Sequence, residues 1–502
     1  MNNGILRKLP IDSIIGAKKE GEALKRNLSA LDLTLMGVGV IIGSGIFVIT
    51  GVAAGDVAGP ALVISFLVAG IACLFAALCY AELAAAIPAS GSSYTFSYIG
   101  IGEIFAWFIG WCLTAEYIFA CSAISTGWSA YFTMIVESIG IDIPDSLLAD
   151  PMSGGIVNLP AVLIITLMML LQLRGAKESA VLNNVLVAVK LIVIVLFIVL
   201  TIGHIKSANY EPFVPFGWFP ENWFATPKTG VFAGAAIVFF AYLGFDALAN
   251  SAEEVKNPQR SLPRGIIGAL LIATALYIVV TLCMTGVTSY THYASGQPGN
   301  GAPVAYALAA IGIDWGKVIV SVGAITGLTT GVLVTLGAQS RLIYSLSRDG
   351  LLPKPLSKVN KNKVPKYAII SMWIAASILG GLLPIGRLAE LCNIGTLCAF
   401  FIVSLTVILL RKNMKELERP FKVPLVPVLP LISMVMCLFL VTQLASLTWL
   451  FFVVWTGIGM LIYAIYGNKH SKAGLSAGDG SSGGGGGSGG GAESDGGGAR
   501  QA

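Results

Sequence analysis

Three observations predict an all-α membrane protein of about twelve transmembrane helices: a scarcity of charge, repeated long apolar runs, and the side on which basic residues collect. Of 502 residues, 56% are hydrophobic and 11% charged, with a mean hydropathy of +0.82. Soluble chains average about 25% charged residues, so a water-soluble protein is excluded. Length alone suggests three or so soluble domains. The apolar runs replace them with one polytopic domain in a lipid bilayer, because about 20 apolar residues suffice to cross. A net charge of +5 is modest, and no dense basic block is interleaved with aromatics, which argues against a nucleic-acid partner.

Residues 1–30 come first as a cytoplasmic segment. They carry Arg7, Lys8, Lys18, Lys19, Lys25 and Arg26 and lack the apolar core of a signal peptide, so the N-terminus is expected in the cytosol. Apolar windows then place spans near residues 31–54, 60–86, 104–133, 160–173, 180–203, 230–250, 265–289, 317–337, 367–383, 388–410, 427–446 and 449–466. The fourth is short, and the ninth and tenth nearly touch. Basic residues test this order, since cytoplasmic loops hold the Lys and Arg excess. With the N-terminus inside, 26 of the 31 fall in cytosolic segments; Lys206, Lys228 and Arg387 fall outside, Lys317 at a boundary and Lys190 within a helix. Residues 31–203 then hold spans 1–5, 204–410 spans 6–10 and 411–466 spans 11–12. Residues 467–502 form a cytoplasmic tail whose last 30 residues include 14 glycines, a composition too polar to order itself. All eight cysteines lie inside apolar runs, so no disulfide framework is expected.

Span 1 contains Gly37, Gly39, Gly43 and Gly45 within LMGVGVIIGSGIF, and span 6 contains Gly230, Gly234 and Gly244 within GVFAGAAIVFFAYLGF. Each glycine weakens a helix by about 1 kcal/mol relative to alanine. Such clusters at mid-membrane depth mark either small-residue packing faces or places where a helix unwinds and its backbone groups need other partners. The two spans each open a five-span block, and interrupted helices at matching places point to a substrate site in an inverted-repeat transporter. A dinucleotide loop is excluded because no strand precedes GVG or GSG.

The stretch LKRNLSALDLTLMGVGVIIGSGIFVITG, followed by AGPA, YAELAAAIPASGSSYTFSYIGIGE, FFAYLGFDALANSAEEVKNPQRSLPRGI and SRLIYSLSRDGLLP, resembles the amino acid, polyamine and organocation (APC) transporter superfamily. Within it the chain is similar to bacterial members of the cationic amino acid transporter family, over residues 24–466. The resemblance implies the leucine-transporter fold, a 5+5 inverted repeat with helices 1 and 6 unwound and helices 11 and 12 outside the repeat. Half-helix N-termini then offer N–H groups to a carboxylate, and freed carbonyls receive an ammonium. Carried onto this chain, the resemblance implies a substrate carboxylate at Gly43, Ser44 and Gly45. It puts the amine at carbonyls near Ile41 and in Phe232, Ala233, Gly234 and Ala235. Ile237 would line the cavity and Phe232 would be its aromatic gate.

Lys190 lies near the middle of span 5 in VLNNVLVAVKLIVIVLF. A central lysine costs about 2.5 to 3.5 kcal/mol, and its depth argues against snorkelling to an interface. The resemblance implies that its ammonium occupies the place of the cation held between helices 1, 5 and 8 in sodium-coupled relatives, which makes it the candidate for proton coupling. Glu116, in the middle of span 3, is either a structural carboxylate or, as the resemblance implies, a pocket-side acid acting on the substrate amine or in proton coupling. Glu82, Glu103, Asp246, Arg341 and Arg348 sit near cytosolic helix ends, as interfacial charges or elements of a cytoplasmic gate. Ser321, early in span 8, leaves room for a long side chain such as arginine if it faces the pocket; otherwise it back-bonds in its own helix.

The expected function is secondary active transport by alternating access: proton-coupled uptake of small neutral or cationic L-amino acids. Exchange without proton coupling and sodium coupling are the alternatives. A channel needs a selectivity filter, and no such sequence is visible. The three histidines, His204, His292 and His470, lie in or near loops, and there is no HExxH, paired cysteine ligand set or Walker lysine. Neither enzyme nor ATP-driven pump is expected, and no cofactor or metal. A major-facilitator carrier would have its long loop at the centre, whereas the most basic loop here follows span 8. Residues 137–159 contain no cysteine, so no disulfide-linked subunit is expected; the chain is read as a monomer in the inner or plasma membrane.

Overall fold

The computed structural model describes residues 7–8, 28–87, 92–175, 180–250, 255–297, 299–362 and 364–471. Most of the N-terminal segment and residues 472–502 of the glycine-rich tail lie outside the described residues. The helices are α1 (Ala30–Ile41), α2 (Thr50–Ala53), α3 (Leu62–Ala86), α4 (Ser92–Gly100), α5 (Glu103–Ser138), α6 (Leu159–Leu173), α7 (Ala180–Thr201) and α8 (Val231–Val238). They continue as α9 (Phe245–Asn250), α10 (Pro258–Val287), α11 (Pro303–Ala310), α12 (Asp314–Arg348), α13 (Lys366–Leu382), α14 (Ile385–Asn413), α15 (Val428–Gln443) and α16 (Ser446–Ile462). Among the described residues the only β pairing is two isolated bridges.

Among the described residues, seven helical stretches are long and apolar enough to cross a membrane, and five shorter apolar helices accompany them. A helix occupies each predicted apolar window. The ends follow from local chemistry. Ser29 and Asp32 close a capping box on α1, with the Ser29 N–H donating to Asp32 at 2.8 Å. Pro160 opens α6, where the Asn158 side chain accepts from the Ala161 N–H.

Two helices do not run through. α1 stops at Ile41, Ile42 turns extended (φ −75°, ψ 105°), and winding resumes at Gly45 in wide turns that flank α2. α8 tightens over Phe239–Tyr242; Leu243 is extended and Gly244 takes φ +104° before α9 begins. That left-handed backbone favours glycine, and a Cβ at Gly244 would also meet Val40 at 2.5 Å. The breaks lie side by side. Gly45 packs so closely on Ala241 that a Cβ would collide with its backbone. Around them α5 packs on α12 and α14, and α10 on α1 and α3, so the breaks sit in the centre of the bundle.

Candidate functional site

The two breaks border a cavity of about 180 Å³. From the first come Gly39 to Gly45, from the second Phe240, Leu243, Gly244 and Asp246. The long helices add Glu116, Tyr117, Ala120 and Ile124 from α5, Lys190 from α7, and a face of α12 running from Gly327 through Thr330, Gly331, Val334 and Thr335 to Ala338. Of the substrate and coupling residues expected from the sequence, Ile41, Gly43, Ser44, Gly45, Glu116 and Lys190 meet here. Gly43 faces open space: nothing lies within 4 Å of where its Cβ would be.

The backbone groups freed by unwinding are held by side chains from other helices. The Tyr277 hydroxyl of α10 reaches both breaks at once, 2.9 Å from the Ile41 carbonyl and 2.6 Å from that of Ala241. Lys190, 6% exposed, points its Nζ at the carbonyls of Gly39 and Ile42, 3.4 Å from each. Asn393 of α14 donates to the carbonyls of Ala236 and Ile237 at 2.7 and 3.0 Å. The Tyr131 hydroxyl donates to the Phe47 carbonyl. Unpaired backbone groups in an apolar interior cost several kcal/mol each, so these donors are what lets the helices stay open. Tyr277 and Asn393 escape sequence reading because nothing in their own helices hints at partners on another helix.

Several expected positions lie elsewhere, and each has a packing reason. α8 stays regular through Val238, so the backbone of Phe232, Ala233, Gly234 and Ala235 is engaged inside a helix rather than freed. Phe232 is not at the cavity. Its ring sits among Phe219, Phe439 and Trp218, with centroids 4.6, 5.2 and 6.4 Å away. Gly234 is a packing glycine against Ser65 and Ala58, and Ile237 is buried without lining the cavity. The second break falls further along, at FFAYLG, which brings Phe240 onto the cavity wall, where Tyr117 of α5 is the other aromatic residue. Ser321 is fully buried, its hydroxyl 3.8 Å from the Met134 sulfur; α12 meets the cavity only from Gly327 onward.

The charged positions divide similarly. Asp246, read as an interfacial or gating charge, lines the cavity with Glu116 and Lys190. Glu116 is 5% exposed, and among the described residues its Oε2 has no hydrogen-bond partner. Glu82 is occupied by Arg411, which approaches both oxygens at 2.9 and 2.6 Å. Arg341 donates to the Gly337 carbonyl, and Arg348 lies exposed beside Asp349.

Hydrogen bonds tie down the chain beyond the first break. Asp56, beyond the first break, accepts from the Ser295 N–H and hydroxyl at 2.8 and 2.6 Å, and the Gly230 N–H donates to the Val57 carbonyl. The cavity itself lies where the two breaks meet α5, α7 and α12. Chemically it pairs backbone at two broken helices with two carboxylates and one ammonium, inside apolar walls.

A family model described as amino acid permease matches residues 28–473. The chain is 47% identical over 472 residues to the methylthioribose transporter of Bacillus subtilis (strain 168), covering 93% of this chain and 99% of that one. It is 46% identical over 477 residues to the branched-chain amino acid permease BcaP of the same organism, covering 94% and 99%. With the vacuolar cationic amino acid transporter 4 of Arabidopsis thaliana it shares 36% identity over 417 residues, 82% of this chain and 67% of that one. An all-helical membrane bundle with this match along nearly its whole length belongs to the amino acid permease family of the APC superfamily, whose named relatives are transporters rather than enzymes.

Proposed function

We propose that this protein is a proton-coupled secondary transporter of L-amino acids that binds its substrate where the first and sixth spans are broken. The observation that carries the reading is Lys190: an ammonium buried among apolar helices, aimed at the carbonyls that the first break exposes, beside the cavity. A charge held there couples a change in its protonation to the packing of α7 on the broken α1. The substrate carboxylate meets the backbone of Gly43, Ser44 and Gly45, and Phe240 and Leu243 bear on its other side.

The wider architecture is read in the same terms. Twelve spans, with residues 31–203 and 204–410 as inverted five-span repeats and 411–466 outside them, put the two breaks at equivalent places. Both termini lie in the cytosol, so the Asp56 end of the first span, bonded to Ser295, faces outward, and on this reading the cavity opens inward. The protein acts as a monomer in the plasma membrane.

The walls favour an aliphatic side chain, since Ile41, Ile124, Leu243 and Val334 all line the cavity. Similarity to a branched-chain amino acid permease supports that choice. A second reading, a cationic side chain, is favoured by the Glu116 and Asp246 carboxylates and by similarity to cationic amino acid transporters. Uptake of radiolabelled leucine, alanine and arginine into proteoliposomes separates them. Leucine uptake exceeding arginine uptake is expected; arginine alone accumulating would select the second reading, and no amino acid accumulating under any ion gradient would overturn both.

A further inference from the structure

Outside the cavity, a buried polar cluster surrounds Glu103, the first residue of α5. Its side chain is fully buried. Three hydroxyls donate to its carboxylate: Tyr98 of α4 at 2.9 Å, Tyr463 just beyond α16 at 3.0 Å, and Ser471 at 2.7 Å. Its backbone N–H donates to the Arg7 carbonyl at 2.9 Å, and Lys8 donates to the carbonyl of Gly100 at the end of α4. One residue thus gathers the N-terminal stretch, α4 and the segment 463–471.

The cluster reaches the cavity through two short links. Tyr94, one turn before Tyr98, donates to Asp349 at 3.0 Å, and Asp349 directly follows α12. Gly350, at φ +85°, packs so closely on the His470 backbone that a Cβ would collide with it. α12 is continuous from there to Thr335 and Ala338 on the cavity wall. Rings stiffen the same corner: Trp107 stacks between Trp111 and Tyr463, with centroids 5.6 and 5.9 Å away, and its N–H donates to the Gly459 carbonyl.

We propose that Glu103 is a positioning residue that couples the C-terminal segment 463–471 to the mouth of the transport cavity. When that segment shifts, two of the three donors leave a buried carboxylate, and the cost of an unsatisfied charge forces α4 and the loop after α12 to move. The position of 463–471 therefore sets how readily the inner mouth changes shape, an inference that rests on the transporter reading.

Hydrogen exchange on the full chain in lipid nanodiscs tests this without any transport assay. In the variant combining Tyr463→Phe and Ser471→Ala, exchange should quicken in residues 92–100 and 349–352 as well as in 463–471. The expected factor is about tenfold, as for loss of one charge-assisted hydrogen bond. Glu103→Gln should reproduce the effect, and adding it to the double variant should change little more. In proteoliposomes the same variants should alter the maximal uptake rate with KM unchanged. Quickening confined to 463–471, or strictly additive effects, would overturn the proposal. Ser471→Ala alone serves if the double variant does not fold. Failure of the parent to take up any amino acid would instead count against the transporter reading, which the exchange data do not touch.

Discussion

Gly43 and Gly45 stand two residues apart in the same glycine-rich run and have opposite jobs. A methyl at Gly43 meets open space; a methyl at Gly45 meets the Ala241 backbone across the junction of the two breaks. Gly43→Ala should therefore leave the thermal unfolding midpoint unchanged while filling substrate space, weakening substrate binding about tenfold. Gly45→Ala should lower stability by about 1 to 3 kcal/mol through overpacking, which denaturation in detergent reads directly. On the opposite wall Gly331 faces Ile124, whose methyls lie 3.3 and 3.4 Å from its Cβ position. Gly331→Val should penalise leucine binding more than alanine binding, and equal losses would remove this position as a size filter. Ser321→Met, by contrast, should not discriminate between the two, because Ser321 lies off the cavity. Sequence reading found the glycines but not their division of labour, which depends on what each one touches.

At the scale of elements, the second break shows where pattern reading loses precision. Gly230 and Gly234 are as conspicuous in the sequence as Gly244, yet α8 is regular around Gly234, which serves close packing on Ser65. Only Gly244 sits at a positive φ inside the break. Composition marks both uses alike; the neighbouring helix decides between them. The opening itself depends on Tyr277, whose single hydroxyl serves the Ile41 and Ala241 carbonyls. Tyr277→Phe should destabilise the fold by about 1 to 3 kcal/mol and weaken substrate binding, while a phenylalanine at the exposed Tyr367 should do neither. Thermal melts with and without substrate compare the two. Away from the cavity, Arg411 holds the buried Glu82 carboxylate, helped by the Val423 N–H at 2.7 Å. Arg411→Leu should cost about 1 to 3 kcal/mol, because the buried Glu82 carboxylate loses its two-pronged partner and keeps only Arg419 at 3.6 Å and the Val423 N–H, and Glu82→Gln in the same chain should recover part of the loss.

For the molecule as a whole, the all-helical class and the helix windows were legible because hydropathy reports them locally, whereas the first break was legible only through the matching cluster in the second block and the family resemblance, since glycine clustering marks packing faces and breaks alike. Of the expected site positions that line the cavity, Glu116 and Lys190 stood out because a charge amid apolar residues is conspicuous in a chain with so few, whereas Ile41, Gly43, Ser44 and Gly45 came from the family resemblance. The inward place of Asp246, the donors Tyr277 and Asn393, and the Glu103 cluster were not legible, since each rests on contacts between distant parts of the chain. In the proposed cycle, substrate at the breaks and a proton at Lys190 together change the packing of α1 on α7. Its most direct test is leucine accumulation in proteoliposomes under separately imposed proton and sodium gradients, for the parent and Lys190→Ala. The account predicts accumulation in the parent driven by the proton gradient alone, and none in Lys190→Ala despite retained substrate binding. Proton-driven accumulation by Lys190→Ala at the parent rate would contradict it.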